Sequence, residues 1–286
     1  MAERAPMARV SARPPRAMGT VDLAVRASGG RTRLWRLRHQ GSAKCLLPPT
    51  LPDAPVEVTI INTAGGMTGG DRFAWTAEAG AEADLVLTTQ AAERIYRAAD
   101  DDPARVTARL TLGAGARLGW LPHPTILFDR GRVERRFEVD MAADATFLGV
   151  EGLILGRQAM GEDVAEGHLA DRWQIRRDGR LIWADALVLS GPIAALTARP
   201  AIMGGARAAL SLIAVGPGVM DRLEALRRAL PPETRLTENG YEAGVSAWEG
   251  MLACRAVAAD GQRLVELMTR AVDALNLLPA PRGWGY

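Results

Sequence analysis

A chain of 286 residues with 48% hydrophobic content has enough apolar side chains for one large or two small domains with a real core. Its longest apolar stretch, LIWADALVLSGPIAAL, is interrupted by Asp185, Gly191 and Pro192, short of the roughly 18 residues of a membrane span. Net charge is only +2, but residues 1–50 hold nine Arg and Lys44 against Glu3 and Asp22, and the acidic excess lies beyond them. Pro14 and Pro15 break any amphipathic helix in the basic segment, and no aromatic interleaves its arginines before Trp35. The segment therefore reads as a solvated, partly disordered tail over 1–18, neither a nucleic-acid arm nor a transit peptide.

Along the chain the pattern is mostly that of strands. VEVTII alternates, and after it the stretch NTAGGMTGGD places Gly65, Gly66, Gly69, Gly70 and Asp71 in a loop; RFAWTAE then puts Phe73, Trp75 and Ala77 on one face. The loop thus joins strand to strand. A phosphate loop needs a following helix and a lysine, and the only lysine in the chain is Lys44, so no nucleotide hydrolysis is expected. The glycines instead supply positive φ or close backbone approach, and Asp71 accepts local N–H bonds.

Further on, RVTARLTL aligns Val106, Ala108, Leu110 and Leu112, and RVERRFEVDM aligns Val133, Phe137, Val139 and Met141. HLADRWQI and RDGRLIWADALVL form a hairpin candidate turning at Asp178-Gly179. EAGAEADLVL, TLGAGARLGWL and VDMAADATFLGV echo one another as strand, small-residue turn, strand, with turns near Gly80, Gly113 and Ala142. Such a period suggests units stacked as a β-solenoid or a long coiled sandwich. Helices come late, near 219–230 and 261–278, the second opening on Asp260 as N-cap. The expected fold is mainly β: a superhelical or solenoid-like stack of strands and hairpins with a few C-terminal helices, in one scaffold domain over 19–286.

Chemistry-bearing residues are sparse. Cys45 and Cys254 form no C-x-x-C pair, which suits a reducing cytoplasm, and His39, His123 and His168 form no metal-ligand ladder. Glu151 and Glu162 flank Arg157, a set that could serve acid/base work or bind a cation. TTQAAERIYR clusters Thr88, Thr89, Gln90, Glu93, Tyr96 and Arg97 without an evident purpose. On the residues alone, a carboxylate-based hydrolase or lyase using Glu151, Glu162 and Asp71 stands as one reading.

Four ordered blocks carry a more specific signal: NTAGGMTGGD, TTQAAERIYR, LPHPTILFDRGRVERRFEVD at 121–140, and E-x-x-x-x-x-R-x-x-M-G-E at 151–162. Over about residues 20–280 the chain resembles the urease accessory protein D family, UreD or UreH. The resemblance implies a β-rich superhelical scaffold, not an enzyme, that helps insert nickel into the urease apoprotein. It implies work in a cytoplasmic complex with two other accessory proteins, one of them a GTPase, so that the partner handles GTP. The motif positions are Asn62, Gly65, Gly66, Gly70 and Asp71, then Thr88, Thr89, Gln90 and Tyr96, then Glu151, Arg157, Met160, Gly161 and Glu162. No tightly bound cofactor is implied; nickel would pass transiently, with Glu151, Glu162 and Asp71 the candidate oxygen ligands on its route. No nucleic-acid or membrane partner is expected. Two departures from the family pattern are His123 and the ending LPAPRGWGY.

Overall fold

The computed structural model describes residues 15–49, 51, 54–157, 160–230 and 240–284. Most of the expected basic tail, residues 1–14, lies outside the described residues.

Among the described residues the strands form two sheets facing one another. The first contains β1 (Met18–Ser28), β2 (Arg31–Gly41), β5 (Arg72–Ala79), β8 (Ala104–Leu112), β11 (Arg132–Met141), β13 (Gly167–Arg177) and β14 (Arg180–Gly191). The second contains β3 (Ala43–Leu46), β4 (Val56–Asn62), β6 (Asp84–Thr89), β7 (Glu93–Ile95), β9 (Arg117–Trp120), β10 (Thr125–Leu127), β12 (Thr146–Leu155), β15 (Ala208–Val215), β16 (Tyr241–Trp248) and β17 (Met251–Ala258). From β4 to β13 the chain alternates between the sheets, and each strand lies parallel to its counterpart in the previous coil: β5, β8, β11 and β13 in one sheet, β4, β6, β9 and β12 in the other. That is a solenoid. The sequence echo corresponds to its turns: Gly113 N–H donates to Ala79 O and Ala142 N–H to Leu112 O, so successive turns at 80, 113 and 142 stack. The two strands of each echoing unit pair with the next unit and not with each other, because each turn carries the chain across the sandwich.

Strand alternation sets the interior. Phe73, Trp75, Leu85, Leu87, Leu118, Phe137, Phe147 and Trp173 fill the space between the sheets. Over β12, β15 and β17 the outer face of the second sheet is also dry, because helices cover it: Leu148 and Val150 of β12 pack with Leu226, Leu264 and Leu267. This explains the unbroken apolar run of β12, which is buried on both faces.

The late helices are α2 (Leu223–Ala229), preceded by a 3₁₀ turn at Met220–Arg222, and α3 (Gly261–Leu275). Asp260 caps α3 as expected, its carboxylate accepting from Arg263 N at 2.8 Å. The helix stops three residues before the expected 278, where Asn276 takes the left-handed conformation that closes a helix. A short helix after Pro192, α1 (Ile193–Thr197), was not signalled by its five-residue sequence. The Asp178-Gly179 hairpin forms as expected, with positive φ at both residues.

Candidate functional site

The glycine loop leaves the second sheet at Asn62 and enters the first at Arg72. Asn62 organises it: Oδ1 accepts from Ala64 N, and Nδ2 donates to Gly66 O at 3.1 Å and to Glu93 Oε1 at 3.2 Å. Asp71 accepts from Thr68 N and from Ala17 N, both at 2.8 Å, tying the residue before β1 to the loop. The loop runs into β5 with no helix behind it, and its Gly65 and Gly66 form the rim of a cavity.

Beneath that rim lies a cavity of about 200 Å³ between the sheets. Exposed Gln90 and Gly65 edge it and half-buried Glu93 lines it, with Trp120, Arg135, Phe137 and Glu151 at its buried end. Arg135 is buried, only 9% exposed, because it sits in register with Val133, Phe137 and Val139 on the inward face of β11. Its guanidinium bridges two buried carboxylates, Nη1 to Glu151 Oε2 at 2.7 Å and Nη2 to Asp171 Oδ2 at 2.6 Å. Nη1 also donates to Thr125 Oγ1, and Trp120 Nε1 donates to Glu151 Oε1 at 2.7 Å. Stacked Phe137 and Trp173, with ring centroids 4.4 Å apart, wall the cluster.

Burial dominates the electrostatics here. It pushes the Glu93 carboxyl up to about 7, against the lowering pull of the Asn62 hydrogen bond and the Arg135 charge. Burial likewise raises Glu151 and Asp171, opposed chiefly by Arg135, which stays charged between them. The thiols of Cys45 and Cys254 are pushed up to about 11 and about 12, so neither offers a thiolate near neutrality. The Glu93 shift has a measurable sign. Between its ordinary value of 4.5 and about 7 the folded chain holds a proton that the unfolded chain lacks. Its contribution is therefore fully present below 4.5 and lost as pH rises through about 7. In denaturant titrations across this window Glu93→Gln should gain stability relative to the wild type as pH rises; a constant difference would refute it.

Asp171 leads onward to a second polar group. The charge of Asp185 helps raise Asp171, and Asp185 is ion-paired with Arg255, which also donates to Ser211 Oγ. A narrow cleft of about 10 Å³ touches Trp173, Asp185, Ser211 and Arg255. Charged side chains thus run from the Glu93 rim through Arg135, Glu151 and Asp171 to the half-buried Asp185 and exposed Arg255.

The candidate residues named from sequence do not all meet. Glu151 is at the centre of the cluster, but its cation is Arg135 and not Arg157. β12 continues to Leu155, so Arg157 lies past the strand end, where its Nε donates to Glu162 Oε2 at 2.8 Å. Glu162 also accepts from Asp129 N and Arg157 N, and Asp71 is occupied in its loop. Among the described residues no three Asp, Glu, His or Cys side chains converge as a metal site. Thr88 is buried with its hydroxyl unpartnered, while Thr89 Oγ1 accepts from His123 N. Tyr96 OH donates to Gly65 O at 3.4 Å on the rim. Arg135 and Asp171 were missed, although strand parity carried the signal.

A family model described as UreD urease accessory protein matches residues 17–285. The chain belongs to the UreD family of urease accessory proteins. It is 46% identical over 275 residues to the urease accessory protein UreD of Rhizobium leguminosarum bv. viciae, covering 96% of this chain and 97% of that one. It is 47% identical to UreD of Xanthobacter autotrophicus over 97% of this chain and 93% of that one. UreD of Methylobacterium sp. (strain 4-46) is 45% identical over 90% of both chains. The two departures from the UreD pattern seen in the sequence touch each other: His123 Nε2 lies 3.1 Å from Gly283 O, tying the C-terminal segment to the β6 end. No helix among the described residues is long and apolar enough to cross a membrane.

Proposed function

We propose that this chain is a non-enzymatic, cytoplasmic scaffold that helps insert nickel into the urease apoprotein, passing the ion through its interior. One observation carries the reading. In a protein of the urease accessory family, an ion-paired set of buried charges, Glu151, Arg135 and Asp171, lies between two sheets, with Glu93 on the cavity at one side and the Asp185–Arg255 pair at the other. Interiors this apolar seldom keep several charges without a use for them. Oxygen donors also suit a cargo that must leave, since imidazole and thiolate sites bind late first-row ions more tightly.

In this reading Glu151 is the interior ligand, Asp71 is an outer carboxylate on the loop that rims the cavity, and Glu162 is an outer carboxylate paired with Arg157 past the end of β12. The chain works in a complex with two other accessory proteins; one is a GTPase, which handles the GTP. No cofactor is held tightly, and neither nucleic acid nor membrane is a partner. The hydrolase reading gains no support from the geometry, because Glu151, Glu162 and Asp71 sit in three separate hydrogen-bond settings.

The test is activation of urease apoprotein under limiting nickel, with and without this chain. Glu151→Gln keeps the shape but removes the charge, and should lower activation roughly tenfold, with partial recovery at abundant nickel and an intact complex in a pull-down. Full activation by Glu151→Gln at limiting nickel would remove Glu151 from the route.

A further inference from the structure

The buried triad has an unusual charge balance. One guanidinium serves Glu151 and Asp171 together, and the third carboxylate, Glu93, lines the same cavity within reach of the Arg135 charge. A single positive charge offsets only half of the charge of two ionised carboxylates, whereas a divalent cation offsets all of it. The network is also not saturated. Arg135 Nε is buried without a hydrogen-bond partner. The 200 Å³ cavity lies beside the guanidinium, giving its long side chain somewhere to move.

We propose that the Arg135 guanidinium stands in for a divalent cation between Glu151 and Asp171, a tethered competitor that keeps this carboxylate pair from holding metal tightly. The proposal rests on the transfer reading for its purpose, but its chemistry stands on the triad alone. The carboxylates present oxygens to a cation from both sides, which is what a hard or borderline ion requires. Arg135 is covalently attached and pre-aligned, so it competes at a high effective concentration that a free ion must overcome. An ion can then displace the guanidinium into the cavity and be displaced by it in turn, so cargo is not trapped.

The experiment uses the full-length chain and Ni²⁺ alone as probe, with Mg²⁺ as control, read by calorimetry and thermal melting. Arg135→Met should bind Ni²⁺ at least about tenfold more tightly than the wild type, equivalent to about 1.4 kcal/mol, and its melting temperature should rise with Ni²⁺ while the wild type's does not. Arg135→Met with Asp171→Asn removes one carboxylate along with the guanidinium, and should fold but lose the gained affinity. Should Arg135→Met fold poorly without metal, its soluble yield on refolding should rise with Ni²⁺ and not with Mg²⁺. The proposal is overturned if Arg135→Met binds Ni²⁺ no better than the wild type, if its refolding ignores Ni²⁺, or if the gain survives both Asp171→Asn and Glu151→Gln. These readings need no urease, so they can fail while Glu151→Gln still impairs activation, and the reverse also holds.

Discussion

Glu151→Ala should destabilise the chain by about 3 kcal/mol, the lower end for removing one partner of a buried ion pair. The carboxylate is 5% exposed and accepts from both Arg135 and the Trp120 indole. Truncation strands the Trp120 N–H in an apolar wall and leaves Arg135 with Asp171 as its one remaining carboxylate ion pair, so two desolvation penalties go unanswered. The surviving Asp171 contact, at 2.6 Å, keeps the loss from being larger. Glu151→Gln should cost less, because an amide oxygen still accepts from Trp120 or Arg135. Urea midpoints at constant m-value measure both. If Glu151→Ala unfolds at the wild-type midpoint, the triad is not part of what holds the two sheets together. With the expected destabilisation, a lowered urease activation in Glu151→Ala mixes lost stability with lost function, which is why Glu151→Gln is the variant for transfer assays.

Gly66→Val should destabilise by at least about 1–3 kcal/mol from backbone strain alone. Gly66 has φ +142°, a region that a β-branched residue avoids, and a Cβ there would come within 2.4 Å of the Tyr96 ring and 2.9 Å of Arg94 O. The ring is packed on Phe128, with centroids 5.2 Å apart, and the carbonyl belongs to β7, so neither neighbour gives way freely. The valine would also push Tyr96 off Gly65 O and distort the cavity rim. The drop in melting temperature should be accompanied by a similar, smaller drop for Gly66→Ala, since the φ penalty needs only a Cβ. A melting temperature unchanged in Gly66→Val would mean that the rim rearranges without cost.

Much of this architecture could be read from residue order. Alternation in RFAWTAE and RVERRFEVDM marks strands with one dry face, and the small-residue turns at 80, 113 and 142 mark a repeat, because a solenoid must turn at the same place in every coil. Asp260 and the apolar stripe behind it mark α3. The residues 231–239 after α2 lie outside the described residues. What order alone left open is which strands pair: the echoing units read as hairpins, and only the crossing of each turn from sheet to sheet makes them coils.

The candidate site divides in the same way. Strand parity by itself directs Arg135 and Asp171 inward, since each shares a face with an apolar neighbour, Phe137 and Trp173, whereas Glu151 sits on a strand apolar on both faces and is buried whichever way it points. An arginine among those neighbours was the signal to follow, because a buried cation demands partners. The sequence thus determined that these three charges are buried. It could not determine that they meet. Register places Arg135 beside Asp171 on adjacent parallel strands of one sheet, whereas Glu151 arrives from the opposite sheet. Their contact exists only because the two sheets close face to face, with distances set by packing, and nothing in local sequence encodes that separation.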